Sequence, residues 1–186
     1  MISLKLGKIK LTFEFGFFVT LSVFCLLDDF GVLITALCAC MIHEIGHIIA
    51  ALICNVKIEK IIFSFSGIKM LSKSKVTKIS KDTFILLSGP FINLLTAYFY
   101  FHMGNYVPFS ANLILGIFNL LPFTSLDGGT ILKKLFEYYE INPDILLKIT
   151  ACISVILLCI FFKIYGIYNP MAYVIIIFLG VCEFFY

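Results

Sequence analysis

Long apolar runs occupy most of this chain of 186 residues and constrain its fold more than any other feature. A helix that crosses a membrane needs about 20 mostly apolar residues, within a workable range of about 17 to 25. Runs of this kind occur near residues 11–27, 31–54, 83–103, 107–123, 145–164 and 167–185. The predicted fold class is therefore an all-α integral membrane protein with about six transmembrane helices. The fourth run is the least regular and predicts a broken helix.

The share of charged residues indicates whether a soluble domain accompanies these runs. Charged residues make up 13% of the chain and hydrophobic residues 61%, whereas soluble domains are about one-quarter charged. The apolar runs also leave no segment long enough for a separate soluble domain of ordinary size. We therefore predict a single transmembrane domain over residues 1–186, with its motifs in a core at about 30–140.

The positive charges of the chain are carried by lysine alone and are unevenly spread. They cluster before the first run at 5–10, between the second and third runs at 57–81, and between the fourth and fifth at 133–148, with only Lys163 on the other side. Positive loops stay in the cytoplasm, so this alternation predicts that both termini are cytoplasmic. Topology and anionic lipid account for the basic loops, and no nucleic-acid partner is expected. Glu183, near the end of the last run, is expected to reach the lipid headgroups.

The one sizeable polar stretch lies between the second and third runs, at about 55–82. Its segment 56–63 alternates and is rich in β-branched residues, while 64–67 offers a turn and 68–71 can return as a second strand. The stretch is too short for an inserted globular module. It predicts a small β-hairpin at the membrane edge.

The second run contains an HExxH motif at residues 43–47, surrounded by apolar residues. Residues four apart lie on one face of a helix, so His43 and His47 can both direct an imidazole nitrogen at one zinc ion. Glu44, the next residue around the helix, is placed to act on a water molecule as the catalytic acid and base. The alternative is a buried, hydrogen-bonded His–Glu set without metal. Polar groups are costly inside a membrane, which favours the zinc site.

A second polar motif, NLLPFTSLDGG, ends the fourth run at residues 119–129. Pro122 should break the helix, and the two glycines permit an unusual backbone before a new helix begins at Thr130. A catalytic zinc commonly takes three protein ligands, and Asp127 is the best-placed acid for the third position. The alternative is that Asp127 is an ordinary helix N-cap.

A third motif, SGPFIN, lies early in the third run at residues 88–93. On one interpretation it is a turn followed by a helix that starts at Pro90. On the other, Gly89 packs closely against the HExxH helix and Asn93 bonds to a ligand or substrate. The sequence leaves both interpretations open.

The motifs HExxH, SGPxxN and NLLPxxxLDGG, in this order and inside apolar segments, resemble the site-2 protease family of intramembrane zinc metalloproteases. The resemblance covers about residues 43–129, the core of that family. It implies zinc ligation by His43, His47 and Asp127, acid and base catalysis by Glu44, and substrate or oxyanion binding by Asn119.

The plan of about six spans without an inserted PDZ module resembles the sporulation factor protease branch of that family. Two features differ from the usual pattern. Many members have a second proline where this chain has Ser125. The sporulation branch also usually carries a nucleotide-binding CBS domain after the last span, and the sequence up to Tyr186 does not contain one.

The function predicted from these features is zinc-dependent hydrolysis of peptide bonds in membrane-associated protein substrates, in or near the bilayer. The resemblance implies one of two substrates, either a regulatory precursor such as a membrane-tethered transcription or sigma factor, or the remnant of a signal peptide. It also implies a regulatory membrane partner and a bacterial cell membrane as location. A metal-ion transporter is an alternative, although transporters usually need repeats or more acids along a path. A catalytically inactive scaffold is another, although such a protein would be expected to lack Glu44 or a ligand.

Overall fold

The computed structural model describes residues 2–6, 9–27, 32–56, 58–64, 67–72, 78–164, 166 and 170–185. The chain forms two compact units, residues 1–116 and 117–186. The described part of the first unit contains β1 (Ile2–Leu6), β2 (Ile9–Phe13), α1 (Phe15–Leu27), α2 (Val32–Ile53), β3 (Ile58–Ser64), β4 (Gly67–Ser72), α3 (Ile79–His102) and most of α4 (Tyr106–Asn119). The second contains the end of α4, α5 (Asp127–Tyr138), α6 (Pro143–Ile164) and α7 (Pro170–Phe185).

The four strands of the first unit form one sheet in the order β1-β2-β3-β4. Two antiparallel hairpins, β1–β2 and β3–β4, are joined by parallel pairing of β2 with β3. Phe13 lies opposite Phe63 in this pairing, and their rings stack with centroids 4.5 Å apart. The predicted hairpin is confirmed as β3–β4, but the sequence analysis missed β1–β2. Because β2 precedes α1 and β3 follows α2, both hairpins lie at the same end of these two helices.

The first apolar run is divided between two elements, which the sequence analysis did not predict. Residues 11–13 belong to β2, where they pair with residues 61–63 of β3, and only Phe15–Leu27 is helical. The strand partners come from a distant part of the chain, so the hydropathy of the run alone does not reveal them. With 13 residues, α1 is about 20 Å long, less than the roughly 30 Å hydrocarbon core of a bilayer.

Among the described residues, three helices are long and apolar enough to cross a membrane, namely α2, α3 and α6. Helix α4 is apolar but has only 14 residues. The mostly helical character and the apolar helices expected of a membrane protein are confirmed. The number of transmembrane spans, about six, stays a prediction.

Helix α3 begins at Ile79 and runs continuously to His102, so the prediction of a helix start at Pro90 is wrong. Pro90 lies inside the helix and is buried against its neighbours. Membrane helices tolerate internal proline where surrounding structure compensates for the lost backbone bond. The SGPFIN motif is therefore a helical packing surface.

The predicted break of the fourth apolar run is confirmed, because α4 ends at Asn119 and the turns around Pro122 separate it from α5. The new helix begins at Asp127, three residues earlier than predicted, since the amide of Thr130 already donates to the carbonyl of Leu126. The N-cap position is held by Leu126, so the alternative role of Asp127 as N-cap is wrong. Asp127 lies in the first turn, where a negative charge is favourable.

Candidate metal centre

The HExxH motif lies on the buried face of α2. Small residues and both histidines share this face, which is formed by Ala39, His43, Gly46, His47, Ala50 and Ala51. The side chains of His43 and His47 are only 6% and 7% exposed. Glu44, one position further around the helix from His43, is half-buried. The helical spacing thus brings the two imidazoles together on the buried face of α2.

The ring orientation of His47 is fixed by the backbone of α3. Its Nδ1 lies 2.7 Å from the carbonyl oxygen of Ile85. A carbonyl only accepts hydrogen bonds, so Nδ1–H is the donor and Nε2 of the neutral ring carries the lone pair. An outer hydrogen bond of this kind is the usual way in which proteins orient a metal-ligating histidine.

The two Nε2 atoms of His43 and His47 lie 3.1 Å apart. Two nitrogens bound to one zinc at about 2.0–2.1 Å in tetrahedral geometry lie about 3.3 Å apart. The spacing of this pair therefore fits a shared zinc ion without rearrangement of α2. In the chemistry of their donors and in their spacing, the two histidines fit a zinc site.

Because Gly89 of α3 has no side chain, the two histidine rings can occupy the space beside it. A methyl group at this position would lie 2.8 Å from Nε2 of His43 and would also collide with Nε2 of His47. No side chain larger than hydrogen fits there without displacing a ring. Of the two interpretations of SGPFIN, close packing of Gly89 against the HExxH helix is the one found.

Two further contacts hold α2 against α3 near the histidines. A methyl group at Gly46 would lie 2.7 Å from both the carbonyl oxygen of Ser88 and Cγ2 of Ile92, so the helices approach closely there. Nδ2 of Asn93, a fully buried side chain, donates to the carbonyl of Ala39 at 3.2 Å. The interface between the two helices therefore fixes where the histidine pair lies.

The other predicted site residues lie on the second unit. Asn119 is the half-buried last residue of α4. Asp127 is half-buried in the first turn of α5 and, like the two histidines, offers one ligand atom to a metal. Gly128 and Gly129 allow that turn to pack tightly, because a methyl group on either would collide with a backbone carbonyl, of Leu120 and Phe123 respectively.

Glu183 is a residue whose role the sequence analysis missed. It is 4% exposed, so the prediction that it reaches the headgroups is wrong. Its carboxylate accepts hydrogen bonds from the amide and the hydroxyl of Thr124, both at 2.9 Å. The sequence did contain a signal for this position, because Glu183 is an acidic residue in the otherwise apolar helix α7. Such residues usually face the protein interior and have a function.

Comparison with known proteins gives a match in sequence and a match in structure. The sequence model of Peptidase family M50 matches residues 105–161, which include Asn119 and Asp127 but not the HExxH motif. The fold resembles the solved structure of a site-2 protease from Methanocaldococcus jannaschii, with a TM-score of 0.69, 21% identity, and coverage of 98% of this chain and 93% of that chain. No curated protein matches the sequence significantly. The resemblance to the site-2 protease family is thereby confirmed.

Proposed function

We propose that this chain is an intramembrane zinc metalloprotease of the site-2 protease family. The observation that carries the proposal is the buried histidine pair of α2, with its two Nε2 atoms 3.1 Å apart and His47 oriented by the carbonyl of Ile85. The match to Peptidase family M50 and the likeness to a site-2 protease fold support it independently.

In this proposal His43, His47 and Asp127 hold the metal. Two neutral imidazoles and one carboxylate form a ligand set that catalytic zinc sites use, with the fourth position left for water or substrate. When bound, zinc supplies Lewis acidity, which makes a water molecule acidic enough to lose a proton near neutral pH.

Glu44 acts as the general base and then as the general acid. It accepts a proton from the attacking water while the water oxygen bonds to the scissile carbonyl carbon, and it then delivers a proton to the amine nitrogen as the carbon–nitrogen bond breaks. Asn119 contributes a side-chain amide that donates to the developing oxyanion. Nδ2 of Asn93 is occupied by Ala39, so its Oδ1 is the group that would accept a substrate N–H.

The substrate class follows from the position of the motif in an apolar helix. A membrane-associated protein reaches this depth, but its peptide bonds are shielded while it is helical, so the substrate must unwind locally. The β3–β4 hairpin offers strand pairing to such an unwound segment. Within the family resemblance, a membrane-tethered regulatory precursor in a bacterial cell membrane is the proposed substrate, with a membrane partner controlling access.

The orientation of the chain is part of the same proposal. The lysine distribution puts both termini in the cytoplasm. The parallel β2–β3 pairing supports a shared side for the N-terminal hairpin and the hairpin that follows α2. His47 lies six residues before the end of α2 at Ile53, which is about 9 Å along the helix at about 1.5 Å per residue. The site would therefore lie in the bilayer nearer its cytoplasmic face.

Replacement of Glu44 by glutamine distinguishes this function from its two rivals. The change preserves shape but removes the base, so peptide hydrolysis should fall by about 10²–10⁴-fold while bound zinc is retained. Zinc content is measured on the purified full chain. Cleavage is measured by comparing membrane proteomes of cells that express the wild type or Glu44→Gln, in which uncut precursors should accumulate.

The control is Glu137→Gln, the same chemical change at an exposed position of α5. It should match the wild type in both measurements. A scaffold would show no accumulated precursor with either variant, and a transporter would show altered zinc flux without precursor. Wild-type cleavage of a defined precursor by Glu44→Gln would overturn the proposed mechanism.

A further inference from the structure

We propose that Glu183 is a positioning residue for Asp127. It acts through the segment of residues 120–126, which we call the pre-α5 loop. The inference rests on the proposed function, since it assigns Glu183 the task of holding the loop that presents the third zinc ligand.

The contact is made at one residue of that loop. The Glu183 carboxylate accepts both the amide and the hydroxyl of Thr124 at 2.9 Å. The carbonyl of Thr124 accepts the hydroxyl of Thr130 at 3.3 Å. All three polar groups of Thr124 are therefore bonded, two to α7 and one to α5. This fixes the backbone three residues before Asp127.

The rest of the pre-α5 loop is tightly packed, so a shift of Thr124 must also move its neighbours. Phe123 is fully buried, and its carbonyl accepts the amide of Leu126 at 2.8 Å. The same carbonyl lies so close to Gly129 that no methyl group fits between them. A displacement of Thr124 therefore moves either the first turn of α5 or the Phe123 side chain. The turn carries Asp127, so its position depends on the Glu183 contact.

Glu183 is an acidic residue in an unusual environment, and the contact with Thr124 explains why it is there. It lies in an apolar helix and is almost completely buried, where an acid is costly unless it is bonded. Glu183 lines a small cavity together with Lys133, Lys148 and Asp144, so charged side chains of both signs face the same space. Hydrogen bonds to a charged acceptor are stronger than neutral ones, which suits a contact that must hold an irregular loop.

The first test uses Glu183→Met in the full chain, which removes both acceptor oxygens and keeps the length of the side chain, with two readouts. Hydrogen exchange should speed up by about tenfold in peptides that cover the pre-α5 loop and remain unchanged in α2 and α3. Zinc loss to an excess chelator should be about tenfold faster than from the wild type, as is typical when an outer partner of a metal site is removed. Asp144→Asn is the control, because it removes another acid from the same cavity without touching Thr124.

A second pair of variants changes Thr124, the other residue of the contact. Thr124→Val removes the hydroxyl donor and keeps the size of the side chain, whereas Thr124→Ser retains the hydroxyl. Valine, which loses the hydroxyl bond but keeps the amide bond, should reproduce part of the effect of Glu183→Met, and serine should remain within about twofold of the wild type. If the Glu183 variant does not fold, the two Thr124 variants test the inference by themselves.

The outcomes separate this inference from the proposed function. A wild type that holds no zinc contradicts the proposed function, whatever the variants show. A wild type that holds zinc, with Glu183→Met and Thr124→Val losing it no faster, overturns the inference alone. Equal acceleration of exchange in α2, α3 and the pre-α5 loop would show general destabilisation and would also overturn it.

Discussion

The histidine pair and Asp127 are held by two different kinds of structure. His43 and His47 lie at an interface between two long helices, where Gly89 and the carbonyl of Ile85 lie directly against the rings. The buried amide of Asn93 joins the two helices by its bond to Ala39. Asp127 follows an irregular loop, which is held by its own packing and by the side chain of Glu183. The comparison indicates that the two histidines of the proposed zinc site are preorganised by regular structure, whereas the Asp127 carboxylate depends on a local network that is easier to disturb.

The largest effect that this comparison predicts is that of Gly89→Ala. The added methyl group would collide with Nε2 of both histidines, and neither long helix can relax without losing its interface. We expect about a hundredfold weaker zinc binding, near the upper end of the 1–3 kcal/mol that overpacking costs. Zinc affinity is measured by competition with a chelator on purified protein.

The matched control for this change is Gly180→Ala in α7. There the methyl group would meet only the end of the Val155 side chain, at 2.9 Å, and that side chain can turn away. Its zinc affinity should equal that of the wild type. Unchanged affinity in Gly89→Ala would show that the helix interface does not fix the histidines.

A smaller effect is expected from Gly129→Ala. The methyl group would collide with the carbonyl of Phe123 and lie 2.7 Å from the amide of Thr124. The pre-α5 loop is irregular and can shift, so part of the strain is relieved and zinc binding should weaken by about tenfold. The same competition assay measures it. A loss as large as that of Gly89→Ala would mean that the loop is as rigid as the helix interface.

The smallest effect is expected from Asn93→Ala. Loss of the bond from Nδ2 to the carbonyl of Ala39 should cost about 1 kcal/mol of stability, a fall in Tm of about 2–4 °C. Asn112→Ala is the control, since the bond of this buried asparagine stays within α4. Both should lose similar stability, but only Asn93→Ala should speed zinc loss. Equal zinc loss in the two variants would contradict the view that Asn93 helps to fix the histidine pair.

The local parts of the site were predictable from the sequence. The spacing of His43 and His47 determines that they share a helix face, and Pro122 determines that the fourth apolar run breaks. The β3–β4 hairpin also followed from a local alternation. Each of these features depends on residues within a few positions of one another, so one sequence is enough to reveal it.

The parts that were missed depend on distant pairing. The contact of Glu183 with Thr124 joins residues 59 positions apart. The pairing of residues 10–13 with 60–63 is similarly remote and turned the start of an apolar run into a strand. Pro90 gave a strong local signal for a helix start, but packing against α2 overrode it. In each case the deciding energy comes from tertiary contacts that no local pattern encodes.

The parallel pairing of β2 with β3 has a consequence for the synthesis of the chain. About 50 residues separate Lys10 from Lys60, so at about 5–20 residues per second the ribosome needs about 3–10 s to supply the partner strand. During that time β2 has an unpaired edge, of the kind that attracts other strands. The N-terminal hairpin therefore waits for β3 until α1 and α2 have been synthesised, and the sheet closes only after that.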